Sequence, residues 1–459
     1  MNVNHDLKRE KTFNSLWFLI FMIYYCIGIL PVNLDNLLTN LPGTTKLGIG
    51  ISAASYLLVV SVSLILFGYF EDKITKKKLR KKIFIFTNFL WVIAYGLISI
   101  SVNFQFYLLF TIVGAIGIGA FVPIGYSMIS DYYLPKDRGK KYGSIHLGLI
   151  LGTGVGIIVG GLLGSYAGPN GWRVAYAVGF ILGLFAVINF ILKGRDPKRA
   201  QAEPEFKDFE GKFIYDYKID IKRMGSLFKK KSLISILIYT FFSGIAVSTI
   251  GTWGIFYMTS KFSGTYAEVS AATLYLLTGA GILPGAILGG KIGDSFYRSG
   301  RIRGRVILTF AGLISGIICL LGFYLLPISV ASQLGNVLAW IFFLIIGFLG
   351  YFLVSLSIGN VFAIYSEVSA PESRSTVNAL HNVMINLGGI IGNLLFSGLI
   401  ESDISLMPYA MALVLLFWLV GTSLWGITYL YYPREFKECR ELMAERRKEL
   451  EQNLNKKKY

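Results

Sequence analysis

Apolar residues in this chain come in unbroken runs of about 20 or more, separated by shorter polar segments, rather than alternating with polar ones. Twelve runs can be drawn, at 13–38, 47–71, 83–102, 105–130, 142–167, 172–192, 232–258, 267–292, 305–326, 334–365, 376–400 and 407–431. Runs of that length without charge predict transmembrane helices. Pro31, Pro123 and Pro284 lie inside them, which is compatible because neighbouring helices can satisfy the freed backbone groups. Rows of small residues, Gly152, Gly154 and Gly156 and then Gly160, Gly161 and Gly164, are spaced for close helix contact.

The polar segments carry the topology. Of the 44 Lys and Arg, 41 fall in alternate segments counted from the N-terminus, leaving only Lys46, Arg173 and Lys261 in the others. That bias predicts both termini on the cytoplasmic side of a plasma-membrane protein. The first run is longer than a signal-peptide core and has no A-x-A-like cleavage site, so a retained span is expected.

Composition agrees: 54% of the 459 residues are hydrophobic, 15% are charged and 51 are glycine. A net charge of +18 would suggest a nucleic-acid partner in a soluble protein. Here the bases sit between spans, so no such partner is expected. Cys26, Cys319 and Cys439 are far apart, and no metal or cofactor is expected. The P-loop G-x-x-x-x-G-K-[ST] and the histidine and serine motifs of hydrolases are absent, which argues against an enzyme and against ATP-driven work.

Residues 193–231 form the longest polar segment and divide six runs from six. The expected organisation is a six-helix bundle over 1–192, a cytoplasmic linker over 193–231, a second bundle over 232–431 and a charged tail over 432–459. In the tail, Phe436, Met443, Leu450 and Leu454 mark one narrow apolar helical stripe, either solvated or lying on the inner membrane surface.

Two motifs recur across that divide. Gly68, Asp72, Lys73, Lys76 and Lys77 form G-x-x-x-D-K-x-x-K-K at the end of the second run, and Gly290 and Asp294 repeat its core 222 residues later. Asp131, Pro135 and Arg138 end the fourth run as S-[DE]-x-x-x-P-x-x-R, and Glu367, Pro371 and Arg374 end the tenth at an offset of 236. The same offset carries Gly152 and Gly156 onto Gly388 and Gly392. Parallel repeats about an axis along the membrane normal are a transporter architecture, with the substrate site near the midplane.

These features resemble the major facilitator superfamily over nearly the whole chain. Asn33-Leu34-Asp35, Gly117-Ile118-Gly119, Arg195-Asp196-Pro197-Lys198-Arg199 and Gly251-Thr252-Trp253 resemble its spinster-like branch. The resemblance implies an all-α fold of twelve transmembrane helices in two pseudo-symmetric six-helix bundles, working by alternating access. The branch implies lysophospholipid or sphingoid-lipid transport. The alternatives are efflux of organic cations and uniport of another small solute. The chain departs from the pattern at Thr75 (usually glycine), at Asn36 and Val113 (usually arginine) and at Ala120 (usually glutamate).

Asp35 is the one charge placed well inside a run. A buried carboxylate there costs about 2.5–3.5 kcal/mol, so it reads as a protonation switch or as the counter-ion of a cationic substrate. The bland alternative is a hydrated residue near the outer mouth. Polar and aromatic candidates for a cavity are Asn33, Asn36, Tyr239, Thr252, Trp253, Asn360, Asn382 and Asn386, each equally readable as a helix–helix hydrogen bonder. Across the runs no buried Arg or Lys is expected to bind a phosphate or carboxylate by charge. Gly68, Asp72, Lys73, Lys76, Lys77, Asp131, Arg138, Gly290, Asp294, Glu367 and Arg374 read as a cytoplasmic gate whose charges pair across the two halves. Residues 78–82 read as plain positive-inside anchors. A small-molecule or lipid substrate, the bilayer, protons and a monomeric state complete the expectation.

Overall fold

The computed structural model describes residues 3–73, 79–133, 135–197, 227–261, 267–326, 333–369 and 373–456. Among them are helices α1 (Val3–Val32), α2 (Leu34–Asn40), α3 (Lys46–Lys73), α4 (Leu79–Ser99), α5 (Phe104–Gly119), α6 (Phe121–Tyr132), α7 (Pro135–Tyr166) and α8 (Gly171–Lys193). After the linker come α9 (Lys231–Thr259), α10 (Ala267–Gly279), α11 (Ile282–Arg298), α12 (Gly304–Leu325), α13 (Gln333–Ser355), α14 (Ser357–Val368), α15 (Arg374–Ser402), α16 (Met407–Ser423) and α17 (Trp425–Lys456). They make 12 stretches long and apolar enough to cross a membrane, the number expected. Four of these pair two helices end to end: α5 with α6, α10 with α11, α13 with α14 and α16 with α17.

Sequence accounts for three of the breaks. Pro123 and Pro284 lack an N–H, and their rings clash with the carbonyls four residues earlier. Those positions are Gly119, where α5 ends, and Ala280, between α10 and α11. The break at Leu356 has no proline. There the Ser357 hydroxyl turns back onto the Val354 carbonyl at 2.6 Å, a bond that competes with the helix ladder. Ala120 and Leu356, where the fourth and tenth spans are interrupted, stand 236 residues apart, the offset of the repeat.

The chain divides into two compact units. One comprises Met1–Lys212, Gly251–Thr273 and Ile400–Ser402; the other comprises Phe213–Ile250, Leu274–Leu399 and Asp403–Tyr459. In the first, Trp91, Trp172, Tyr176, Phe84, Phe121 and Phe190 are fully buried, and in the second Trp425, Tyr324, Tyr365, Tyr432 and Phe323.

Glycine sets the closest approach inside each unit. A Cβ on Gly152 would stand 2.3 Å from the Phe21 carbonyl oxygen, and one on Gly156 2.1 Å from that of Tyr25, so α7 lies against the backbone of α1. In the second unit a Cβ on Gly388 would stand 1.9 Å from the Phe241 oxygen, and one on Gly392 2.3 Å from that of Ile245. Helix α15 therefore repeats on α9 what α7 does on α1. Contact this close is how helices associate where lipid removes the hydrophobic drive.

The tail is not simply solvated at its start. Helix α17 runs on past the apolar run, with Tyr432, Glu435 and Cys439 buried. Glu435 accepts from the Ser232 amide at 3.3 Å and from the Ser232 hydroxyl, capping the free N–H groups that open α9.

Candidate functional site

Arg80 is the second residue of α4 and only 3% exposed. A cation in a helix's first turn meets the positive end of the macrodipole and loses its hydration, so it needs anionic partners. It has two. Arg80 Nη1 donates to Asp131 Oδ2 at 2.7 Å and Nε donates to Asp196 Oδ1 at 2.8 Å. Nη1 also reaches Ser127 Oγ at 3.2 Å, and Nη2 reaches the Pro197 carbonyl at 3.0 Å. Asp131 belongs to the last turn of α6, and Asp196 follows the end of α8. Beside them Lys81 Nζ donates to the Ile191 and Gly194 carbonyls at 2.9 and 2.7 Å, closing the C-terminus of α8. Arg80 thus ties together the ends of the third, fourth and sixth spans.

Arg305 is the second residue of α12 and 5% exposed. Its Nη2 donates to Asp294 Oδ1 at 2.8 Å, its Nη1 reaches Asn360 Oδ1 at 3.4 Å, and its Nε pairs with Glu367 Oε1 at 3.4 Å. The Tyr432 hydroxyl donates to the other Glu367 oxygen. Asn360 in turn donates to the Gly289 and Leu356 carbonyls at 3.0 and 2.9 Å. Asp131 and Glu367 keep the 236-residue offset, while Arg80 and Arg305 stand 225 apart. Among the described residues each unit therefore carries one buried arginine at the start of a span, clamped by the carboxylate that ends the next.

Two expectations need correction. The bases of 78–82 are not all plain topology anchors, because Arg80 is buried and doubly paired. Nor are the spans free of buried bases, since Arg80 and Arg305 both lie within span ends. The ion pairs described for Asp131, Asp294 and Glu367 each stay inside one unit. Lys76 and Lys77 lie outside the described residues, as do the side chains of Asp72, Lys73, Arg138 and Arg374. Gly68 would bring a Cβ no nearer than 3.8 Å to anything, and Gly290 faces open space. Sequence reading missed Arg80, Asp196, Arg305 and Tyr432. A signal existed: each arginine follows a motif aspartate, by 8 residues in one copy and 11 in the other. The extra three residues break a fixed-offset comparison.

Asp35 lies outside the first apolar span, which ends at Val32. The helix breaks at Asn33, and Asp35 sits exposed in the first turn of the seven-residue α2. Asn33 is fully buried and bonds helix to helix: its Nδ2 donates to the Ile29 carbonyl at 3.0 Å and to the Gly160 carbonyl of α7 at 3.1 Å. Its Oδ1 accepts from Asn36 Nδ2 at 3.4 Å. Gly164 leaves room for this pair, since a Cβ there would come within 2.5 Å of Asn33 Oδ1.

Of the other cavity candidates, Tyr239 is buried against Trp425 (ring centroids 5.5 Å) and accepts from Trp418 Nε1 at 3.4 Å. Trp253 is fully buried, Thr252 and Asn386 are half-buried, and Asn382 is exposed with its amide on the Asn378 carbonyl at 2.9 Å. Tyr239, Asn360, Asn382 and Asn386 belong to the second unit; Asn33, Asn36, Thr252 and Trp253 belong to the first.

The Major Facilitator Superfamily family model matches residues 16–393. Protein spinster homolog 1 of Xenopus tropicalis is 27% identical over 76% of this chain, which spans 64% of that relative's length. The quinolone resistance protein NorB of Staphylococcus aureus is 25% identical over 51% of this chain and 47% of its own. Among solved structures, a bacterial homolog to the human lysosomal transporter Spinster, in an inward-facing and unoccupied conformation, superposes with a TM-score of 0.74 at 17% identity. That match covers 93% of this chain and 98% of the other.

Proposed function

Because the chain belongs to the Major Facilitator Superfamily, and is thus a multi-pass membrane transporter rather than an enzyme, we propose that its substrate is an amphipathic lipid with a polar head, a lysophospholipid or sphingoid base. One observation carries this reading. The buried cations among the described residues are Arg80 and Arg305, and both are already held by carboxylates. A small dianion such as a sugar phosphate would have to break one of those pairs, whereas an amphiphile is served by neutral amides, hydroxyls and aromatic faces. The resemblance to spinster homolog 1 over 76% of the chain supports the same choice.

In this reading the transporter works as a monomer in the plasma membrane, with both termini cytoplasmic. The motif charges, including Asp72, Lys73, Lys76, Lys77, Arg138 and Arg374, latch its cytoplasmic side. Asp35, exposed at the start of α2, is the coupling carboxylate or the counter-ion of a cationic head group. The stretch shared with NorB, a quinolone resistance protein, supports multidrug or organic-cation efflux over uniport as the second reading.

The test is flux in reconstituted vesicles under an imposed pH gradient, comparing a lysolipid, a sphingoid base and a cationic dye. The expected result is movement of one of the two lipids, driven by the gradient and lost in Asp35→Asn. Flux of the dye alone establishes the second reading. Flux that ignores the gradient makes the protein a uniporter, and normal flux in Asp35→Asn removes the role given to that residue.

A further inference from the structure

The turn after α11 is a rigid one. Gly300 takes the left-handed conformation at φ +73°, its amide donates to the Tyr297 carbonyl at 3.0 Å, and the Arg301 amide donates to the Phe296 carbonyl at 2.9 Å. This is a Schellman motif with glycine where an L side chain would be strained. It leads through Arg301 and Arg303, both exposed, into Gly304, the first residue of α12. Arg303 is held over the Tyr429 ring at 4.7 Å. Arg305, next but one, is turned inward and engaged with Asp294 and Glu367.

Beneath the two exposed arginines lies an open cleft of about 460 Å³, walled by Phe296, Ile302, Ile307 and Pro433. No carboxylate among the described residues lines it. The cleft straddles the end of the ninth span: Ile307 is inside the apolar stretch and 53% exposed, whereas Arg301 and Arg303 precede that stretch. The apolar stretch therefore reaches one wall of the cleft and begins only after its two arginines.

We propose that this cleft is a binding site for an anionic phospholipid of the adjoining leaflet, with its phosphodiester on Arg301 and Arg303 and its glycerol and upper acyl chain against the apolar wall. Clustered bases beside a span attract anionic head groups, and a planar guanidinium matches a phosphate's paired oxygens. The apolar wall selects a lipid over a free anion. The inference rests on the ninth span's place in a membrane and not on which solute is carried.

The experiment is a titration of purified full-length protein in detergent with fluorescent phosphatidylglycerol, set against phosphatidylcholine and inorganic phosphate. Phosphatidylglycerol is expected to bind more tightly than phosphatidylcholine, and the preference to shrink with salt. R301Q with R303Q should weaken phosphatidylglycerol by about tenfold or more, with phosphatidylcholine unchanged. R301K with R303K should bind phosphatidylglycerol with an affinity between those of the wild type and the glutamine variant and keep the salt-dependent preference, which separates loss of charge from loss of fold. A photoactivatable phosphatidylglycerol should cross-link within the peptides carrying Ile307 and Pro433. Equal binding of the two lipids, full affinity in the glutamine variant, or displacement by millimolar inorganic phosphate would overturn the proposal. The last outcome would mark a free-anion site.

Discussion

Arg80 and Asp131 face each other at 2.7 Å with both side chains almost wholly buried. A buried pair of this kind costs little when both members are replaced by apolar groups and much when one is left alone. Asp131→Asn leaves Arg80 held by Asp196 alone, and should lower stability by about 1–3 kcal/mol, read as a fall in thermal unfolding midpoint in detergent. Arg80→Met strands Asp131 and Asp196 together and should cost more, while the double variant strands Asp196 alone and should cost less than the two singles summed. A double variant as unstable as the sum of the singles would mean that the pair is not coupled as described.

The two unit interiors predict a contrast among glycines. Gly388→Ala forces a Cβ to within 1.9 Å of the Phe241 oxygen, and overpacking of that order costs about 1–3 kcal/mol or prevents folding. Gly290→Ala meets no atom within 4 Å and should fold like the wild type. Yield and thermal midpoint of the two variants, compared side by side, check this.

Glu435→Gln keeps an acceptor for the Ser232 amide, but Glu435→Ala leaves the start of α9 without its described cap. The alanine variant should lose about 0.5–2 kcal/mol and exchange the amide of Ser232 faster, and the glutamine variant should lose less. Hydrogen exchange on peptides spanning residues 231–237 reads the difference.

Lys261 lies just beyond the seventh span, and burial lowers its ammonium from 10.5 to about 8. Its charged form is favoured in the unfolded chain, so stability contributed through this residue rises as pH increases from about 8 towards 10.5. An NMR titration of the reductively methylated protein should show one lysine resonance moving near pH 8, absent in Lys261→Arg. A midpoint at the ordinary value would contradict this environment.

The sequence was legible wherever one scale dominated. Run length gives the twelve spans, and the repeat places Gly388 and Gly392 where the structure puts them. What resisted reading was short-range geometry at span ends. The positive-inside bias and a buried guanidinium use the same residue types, and nothing in composition separates Arg80 from Lys81 or Lys82; only the carboxylates folded against it do. Asp35 failed in the opposite direction. Its hydrophobic neighbours placed it inside a span, but the helix ends before it, at Asn33, whose side-chain amide takes the Ile29 carbonyl. Asn33 itself, a candidate for the cavity, is held by Gly160 across a helix pair that local sequence does not reveal.

The interruptions at Ala120 and Leu356 make the fourth and tenth spans jointed rods. In each, the segment that ends in the clamping carboxylate, Asp131 on α6 or Glu367 on α14, hangs from a point where the backbone ladder is already broken. Swinging such a segment breaks fewer main-chain bonds than bending a continuous helix would, so the side chains near its tip carry a larger share of its resistance. Where each short segment ends, a buried arginine holds its carboxylate by a few charge-assisted bonds, so the segment's position depends on those bonds more than on the stiffness of a whole helix.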